Sequence, residues 1–104
     1  MRIVLTNVPP DRSEDLARTL VGERLVACVN FYPVRSIYRW QGEVQVDEEV
    51  TLMMKVPADG VERLKARLLA LHPHELPEFV VLAVDAEASL REYVGFVRDA
   101  CAAG

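Results

Sequence analysis

The sequence predicts an α+β sandwich, one antiparallel sheet layered against helices, with a further helix added at the C-terminal end. Three observations predict it. Apolar residues alternate with polar ones through the middle of the chain, as in strands with one dry and one wet face. Elsewhere they recur every third or fourth position, as on helices. The 104 residues, 51% apolar and 27% charged, suffice for one core and a single domain spanning residues 1–104.

The elements follow in order. Ile3 to Val8 is a short apolar strand pattern, stopped by Pro9-Pro10. Asp11-Arg12-Ser13-Glu14 has the spacing of a capping box, and Leu16, Ala17, Leu20 and Val21 share one helical face, so a helix is expected from about residue 11 to 24. Leu25 to Trp40 is rich in β-branched and aromatic residues, and Gln41-Gly42 supplies a turn. From Glu43 the alternation is clean: Val44, Val46, Val50, Leu52, Met54 and Val56 point one way. Asp59-Gly60-Val61-Glu62 reads as a second capping box before a stripe of Val61, Leu64, Leu68 and Leu71, ended by His72-Pro73. Phe79 to Val84 is a continuous apolar run, the pattern of a strand buried on both faces. Ser89-Leu90-Arg91-Glu92 is a third capping box, opening a helix with Leu90, Tyr93, Val94, Val97 and Cys101 inward.

The order β-α-β-β-α-β-α is that of a ferredoxin-like βαββαβ sandwich with an added C-terminal helix. Right-handed crossovers put the first and third strands in the centre and the second at an edge. The second strand, if unbroken over 16 residues, would span roughly 53 Å, whereas the first helix covers roughly 21 Å. About 30 Å of the long β2-β3 hairpin would then project, carrying Val34, Ile37, Tyr38, Trp40, Val44 and Val46. An exposed ribbon of that composition calls for cover from other subunits. Pro33 predicts a bulge or bend.

Composition excludes several classes. The net charge of −4 disfavours nucleic-acid backbones and anionic membrane surfaces. No apolar run approaches the roughly 20 residues of a membrane span. The first residues enter a strand pattern with no leader-like segment, and Cys28 and Cys101 stand 73 positions apart with no CxxC pair, so a cytoplasmic protein is expected.

A two-residue turn at Gln41-Gly42 would pair Trp40 with Glu43. Cys28, Asn30, Tyr32, Ser36, Tyr38 and Trp40 would then share a face with Asp47, Glu49, Thr51 and Lys55. A cleft there would contain aromatics, a carboxylate and an ammonium, so Tyr38, Trp40, Glu49 and Lys55 are ligand candidates. His72-Pro73-His74-Glu75 and Glu78 form a compact donor set whose imidazoles and carboxylates suit Zn, Cu or Ni, and Cys28 could add a soft ligand. No spacing matches HExxH, a P-loop, GxGxxG or GxSxG. A small isomerase-like enzyme with an interfacial active site is the competing reading, with Lys55, Glu49 and Tyr38 as acid–base groups.

Ala27-Cys28-Val29-Asn30, Ser36-Ile37-Tyr38-Arg39-Trp40-Gln41-Gly42, Glu49, Lys55, His72-Pro73 and Pro77-Glu78 together resemble the CutA family of divalent-cation tolerance proteins, from about residue 3 to 98. The resemblance implies a tight homotrimer similar in architecture to PII signalling proteins. It also implies a role in copper and other divalent-cation tolerance without enzymatic activity, and an unidentified signalling partner. A divalent ion such as Cu²⁺ is the cofactor it implies, and Cys28, Trp40, Glu49, Lys55, His72 and Glu78 match family positions. His74 stands where the family usually has Tyr. Leu5 and Leu71 occupy positions at which some members carry proposed metal ligands, which leaves Cys28, His72 and His74 as the metal candidates here.

Overall fold

The computed structural model describes residues 1–102. Its elements are β1 (Arg2–Val8), α1 (Ser13–Gly22), β2 (Cys28–Trp40), β3 (Glu43–Val56), α2 (Val61–Leu71), β4 (Val80–Ala83) and α3 (Arg91–Ala100). The four strands form one antiparallel sheet in the order β2-β3-β1-β4. The first and third strands are central and the second is an edge, as the crossover rule requires.

One face of the sheet is dry. Val4, Thr6 and Val8 of β1 lie opposite Met54, Leu52 and Val50 of β3. Leu16 and Leu20 of α1 and Leu64 and Leu68 of α2 close over them, at helical spacing, to form the core with Leu25, Val26 and Val56.

The hairpin has an uninterrupted register from Cys28 opposite Lys55 to Trp40 opposite Glu43. Its turn has positive φ at both central residues, 51° at Gln41 and 82° at Gly42, a conformation that matches the twist of the flanking strands. Pro33 introduces no bulge: it sits opposite Val50 in unbroken pairing. An edge strand tolerates proline because every second N–H has no partner to lose. β2 begins at Cys28 and not at Leu25, because Leu25 and Val26 turn into the core ahead of the strand. Its 13 residues span about 43 Å. β1 ends opposite Val50, so the seven β3 residues from Glu43 to Glu49 run on alone with β2, projecting about 24 Å. That is shorter than the 30 Å expected, yet it draws the chain out to 44 Å in its longest dimension.

The expected capping boxes do not form. Pro10–Arg12 and Ala58–Gly60 are single 3₁₀ turns, each entered through a proline, and they occupy the positions where Asp11 and Asp59 would have capped. The helices start later, at Ser13 and Val61, without side-chain caps. Ser89 spends its hydroxyl on the Asp85 carbonyl, and α3 starts after Leu90. The apolar run of β4 is not buried on both faces. Val80, Val81 and Leu82 are all exposed, because β4 is the second edge and nothing among the described residues covers it. On α3 only Val97 and the following Cys101 are buried, while Leu90 and Tyr93 are exposed. Arg24, at φ 60°, fixes the end of this helix by donating to the carbonyls of Asp99 and Ala100 at 3.1 and 3.2 Å.

Candidate functional site

Beyond the end of β1, the segment joining α2 to β4 lies beside the projecting ribbon. Thr6 ties both ends of that segment. Its hydroxyl donates to the Glu78 carbonyl at 2.6 Å, and His72 Nε2 lies 3.1 Å from Thr6 Oγ1 and 3.0 Å from the carbonyl of Asn7. His72 Nδ1 accepts the backbone N–H of His74 at 3.1 Å, so the proton of the neutral ring is on Nε2, which donates. Burial, then the neighbouring charges of His74 and Arg12, holds the His72 pKa below its ordinary value despite the Asn7 hydrogen bond.

Between this segment and the ribbon is a cavity of about 700 Å³. Ser36, Tyr38 and Trp40 line it from β2, Glu49 from β3, and His74, Glu75 and Glu78 from the segment. Strand alternation puts the three β2 side chains on one face. Glu49 is only 8% exposed and accepts the Ser36 hydroxyl at 3.1 Å. Tyr38 donates its phenol to Asp47, and that bond is the main reason its pKa is raised. Partial desolvation raises the pKa of Glu78, and the charge of Glu49 adds to the effect. Asn7, at the mouth, receives the Thr51 hydroxyl at 2.5 Å.

Of the residues singled out from sequence, the structure gathers Tyr38, Trp40, Glu49, His74 and Glu78. It does not gather Cys28 or Lys55. Lys55 is six residues from Glu49 along β3, about 20 Å away, and its ammonium binds Asn30. Cys28 lies opposite Lys55, with its sulfur 3.8 Å from Asn30 Oδ1. An ion pair between Lys55 and Glu49 is therefore impossible within one chain, and so is an acid–base set of Lys55, Glu49 and Tyr38. The metal set divides as well. His72 has both ring nitrogens hydrogen-bonded, and Cys28 is at the far end of the sheet from it. Among the described residues no group of three or more His, Cys, Asp or Glu could hold a metal ion. Asn7 and Thr6 were missed as residues that shape the cleft. The signal available was the strand alternation, which puts Thr6 inward as the one buried polar residue on the dry face of β1.

Among the described residues no helix is long and apolar enough to cross a membrane. A protein-family model described as CutA1 divalent ion tolerance protein matches residues 2–100. The divalent-cation tolerance protein CutA of Thermus thermophilus is 48% identical over 102 residues, covering 93% of this chain and 94% of the relative. The structure of the PII-like protein CutA from Nostoc sp. PCC 7120 in apo form superposes with a TM-score of 0.97 at 61% identity, over 98% of both chains. CutA of Pyrococcus horikoshii, crystallised in guanidine hydrochloride, superposes with a TM-score of 0.93 at 33% identity, over 98% of this chain and all of that one.

Proposed function

This chain belongs to the CutA1 divalent ion tolerance family, and from that premise we propose that it works as a cytoplasmic homotrimer, a PII-like and non-catalytic protein. In this reading it takes a small ligand in the cleft beside the hairpin and reports its occupancy to a signalling partner. One observation carries the assembly: the projecting ribbon leaves Ile37 69%, Val44 61% and Val46 52% exposed, with nothing among the described residues laid over them. Burying each would contribute about 1–2 kcal/mol, which a neighbouring chain can supply. The exposed β4 edge adds a second uncovered strip. The test is the solution mass. Light scattering should give about 35 kDa, three chains of 11.7 kDa. Ile37→Glu combined with Val46→Glu should lower that mass, and a wild-type protein that scatters as a single chain overturns the assembly.

The described residues of one chain do not assemble a full metal-ligand set, so a resident metal is not part of this reading. Direct Cu²⁺ binding is a second reading, favoured by the His74 imidazole standing beside Glu75 and Glu78 in the cleft wall. It requires donors from more than one chain, with Cys28 and His72 as the remaining candidates. Calorimetric titration of the assembled protein with Cu²⁺ and Zn²⁺ decides it. Binding should weaken in His74→Ala, and heat that is unchanged in His74→Ala, His72→Ala and Cys28→Ala removes all three as ligands.

A further inference from the structure

The walls of the cleft restrict what it can hold. Glu49, Glu75 and Glu78 all line it, and among the described residues no Arg or Lys does. Of the three cations on the hairpin strands, Arg35 and Arg39 fall at the alternate positions of β2, on the face opposite Ser36, Tyr38 and Trp40, with Arg39 donating to the Gly42 carbonyl at the tip, and Lys55 binds Asn30. An anion entering here would meet carboxylates with nothing to offset them. Glu49 has only its Oε2 hydrogen-bonded among the described residues, although it is 92% withdrawn from solvent. Its second oxygen therefore offers lone pairs to whatever enters. Tyr38 and Trp40 present ring faces from alternate positions of β2, and such faces attract cations. A bare divalent ion needs several converging donors, which the described residues of one chain do not provide. An ammonium carried on an apolar body needs fewer, because its N–H groups and its hydrocarbon are satisfied by different parts of the wall. The cavity, about 700 Å³, is the size of a pocket for a small organic molecule.

We infer that the cleft is a site for an organic ammonium, a protonated amine whose N–H groups bond to Glu49 and Glu78 and whose apolar body lies against Tyr38 and Trp40. The inference rests on the reading of the cleft as a ligand site and adds the class of ligand. It also separates this site from one that would hold phosphate-bearing molecules.

Trp40 is the only tryptophan, so its fluorescence reports on the cleft alone. The assembled protein is titrated at constant ionic strength and neutral pH with benzylammonium, benzyl alcohol, phenylacetate and Cu²⁺. Benzylammonium should shift the emission and saturate. The alcohol, which lacks the charge, should bind about tenfold more weakly or worse, and phenylacetate should leave the emission unmoved. Glu78→Gln should weaken benzylammonium by about tenfold, and Glu49→Gln by at least as much. Should Glu49→Gln fail to fold, Glu78→Gln, whose side chain is at the surface, carries the test. Equal binding of amine and alcohol, or an unaltered affinity in Glu78→Gln, overturns the inference. A response to phenylacetate or Cu²⁺ with none to the amine overturns the ligand class and leaves the cleft standing. No response to any of the four, in a protein of trimeric mass, removes the cleft as a ligand site altogether.

Discussion

Replacing Thr6 by Val tests the joint that shapes the cleft, and the sign of the effect is informative. Thr6 is fully buried, and valine has nearly its shape. In an apolar setting the exchange of hydroxyl for methyl would stabilise the chain by about 0.8 kcal/mol. Here the hydroxyl donates to the Glu78 carbonyl at 2.6 Å, and losing it strands that carbonyl at a cost of about 1–3 kcal/mol. His72 Nε2 keeps its bond to Asn7, so no second group is orphaned. The net expectation is a destabilisation of roughly 1 kcal/mol per chain. Guanidinium unfolding, followed at one protein concentration because assembly makes the midpoint concentration-dependent, measures it. Thr6→Ser keeps the hydroxyl and should retain ligand-dependent Trp40 emission, whereas Thr6→Val should blunt it by releasing the segment that carries His74 and Glu78. A Thr6→Val protein as stable as the wild type, or more so, would show that the hydroxyl holds nothing.

Three further outcomes are expected. Gly42→Ala should cost about 1 kcal/mol in thermal unfolding, because φ is 82° there while the added methyl meets no atom within 4 Å; the cost is therefore conformational and not steric crowding. His72 has a folded-state pKa below its unfolded value near 6.5, so the unfolded chain takes up the proton first. Its contribution should be complete above that pH and decline as the pH falls below it, so the stability gap between wild type and His72→Gln should narrow from pH 7.5 towards pH 5 in parallel urea titrations. Arg24→Ala removes the donors to the last carbonyls of α3 and should cost about 1 kcal/mol, with hydrogen exchange accelerating within residues 91–100 and not in β3.

The hairpin was legible because two independent signals agreed: strict alternation fixed its faces and Gln41-Gly42 fixed its turn. That register alone put Ser36, Tyr38 and Trp40 on one side with Glu49. What alternation could not supply was distance along the ribbon. Glu49 and Lys55 share a face by parity, yet stand six residues apart, so one chain alone cannot bring them into one cleft. The helix starts were misplaced because Pro9 and Pro57 each open a tight turn that local spacing does not reveal, and that turn takes up the acidic residue otherwise available as a cap. The exposure of β4 was hidden for a different reason. A run of Val, Val and Leu signals that both faces want cover, and says nothing about which chain provides it. The role of Thr6 depends on a contact across 72 positions, which no local pattern encodes.

The two-residue turn with left-handed φ at both positions also restricts how such ribbons can diverge between relatives. Deleting or inserting a single residue at the tip would invert the inside and outside of one strand against the other and scatter the aromatic and acidic side chains to opposite surfaces. Change that preserves the wall must come as matched pairs, two residues on each strand, each step adding about 7 Å of reach. Ribbon length in this architecture is therefore a quantised trait, and the cleft, which runs from Glu49 to Trp40 beside the turn, keeps its wall only while whole steps are added outside Trp40.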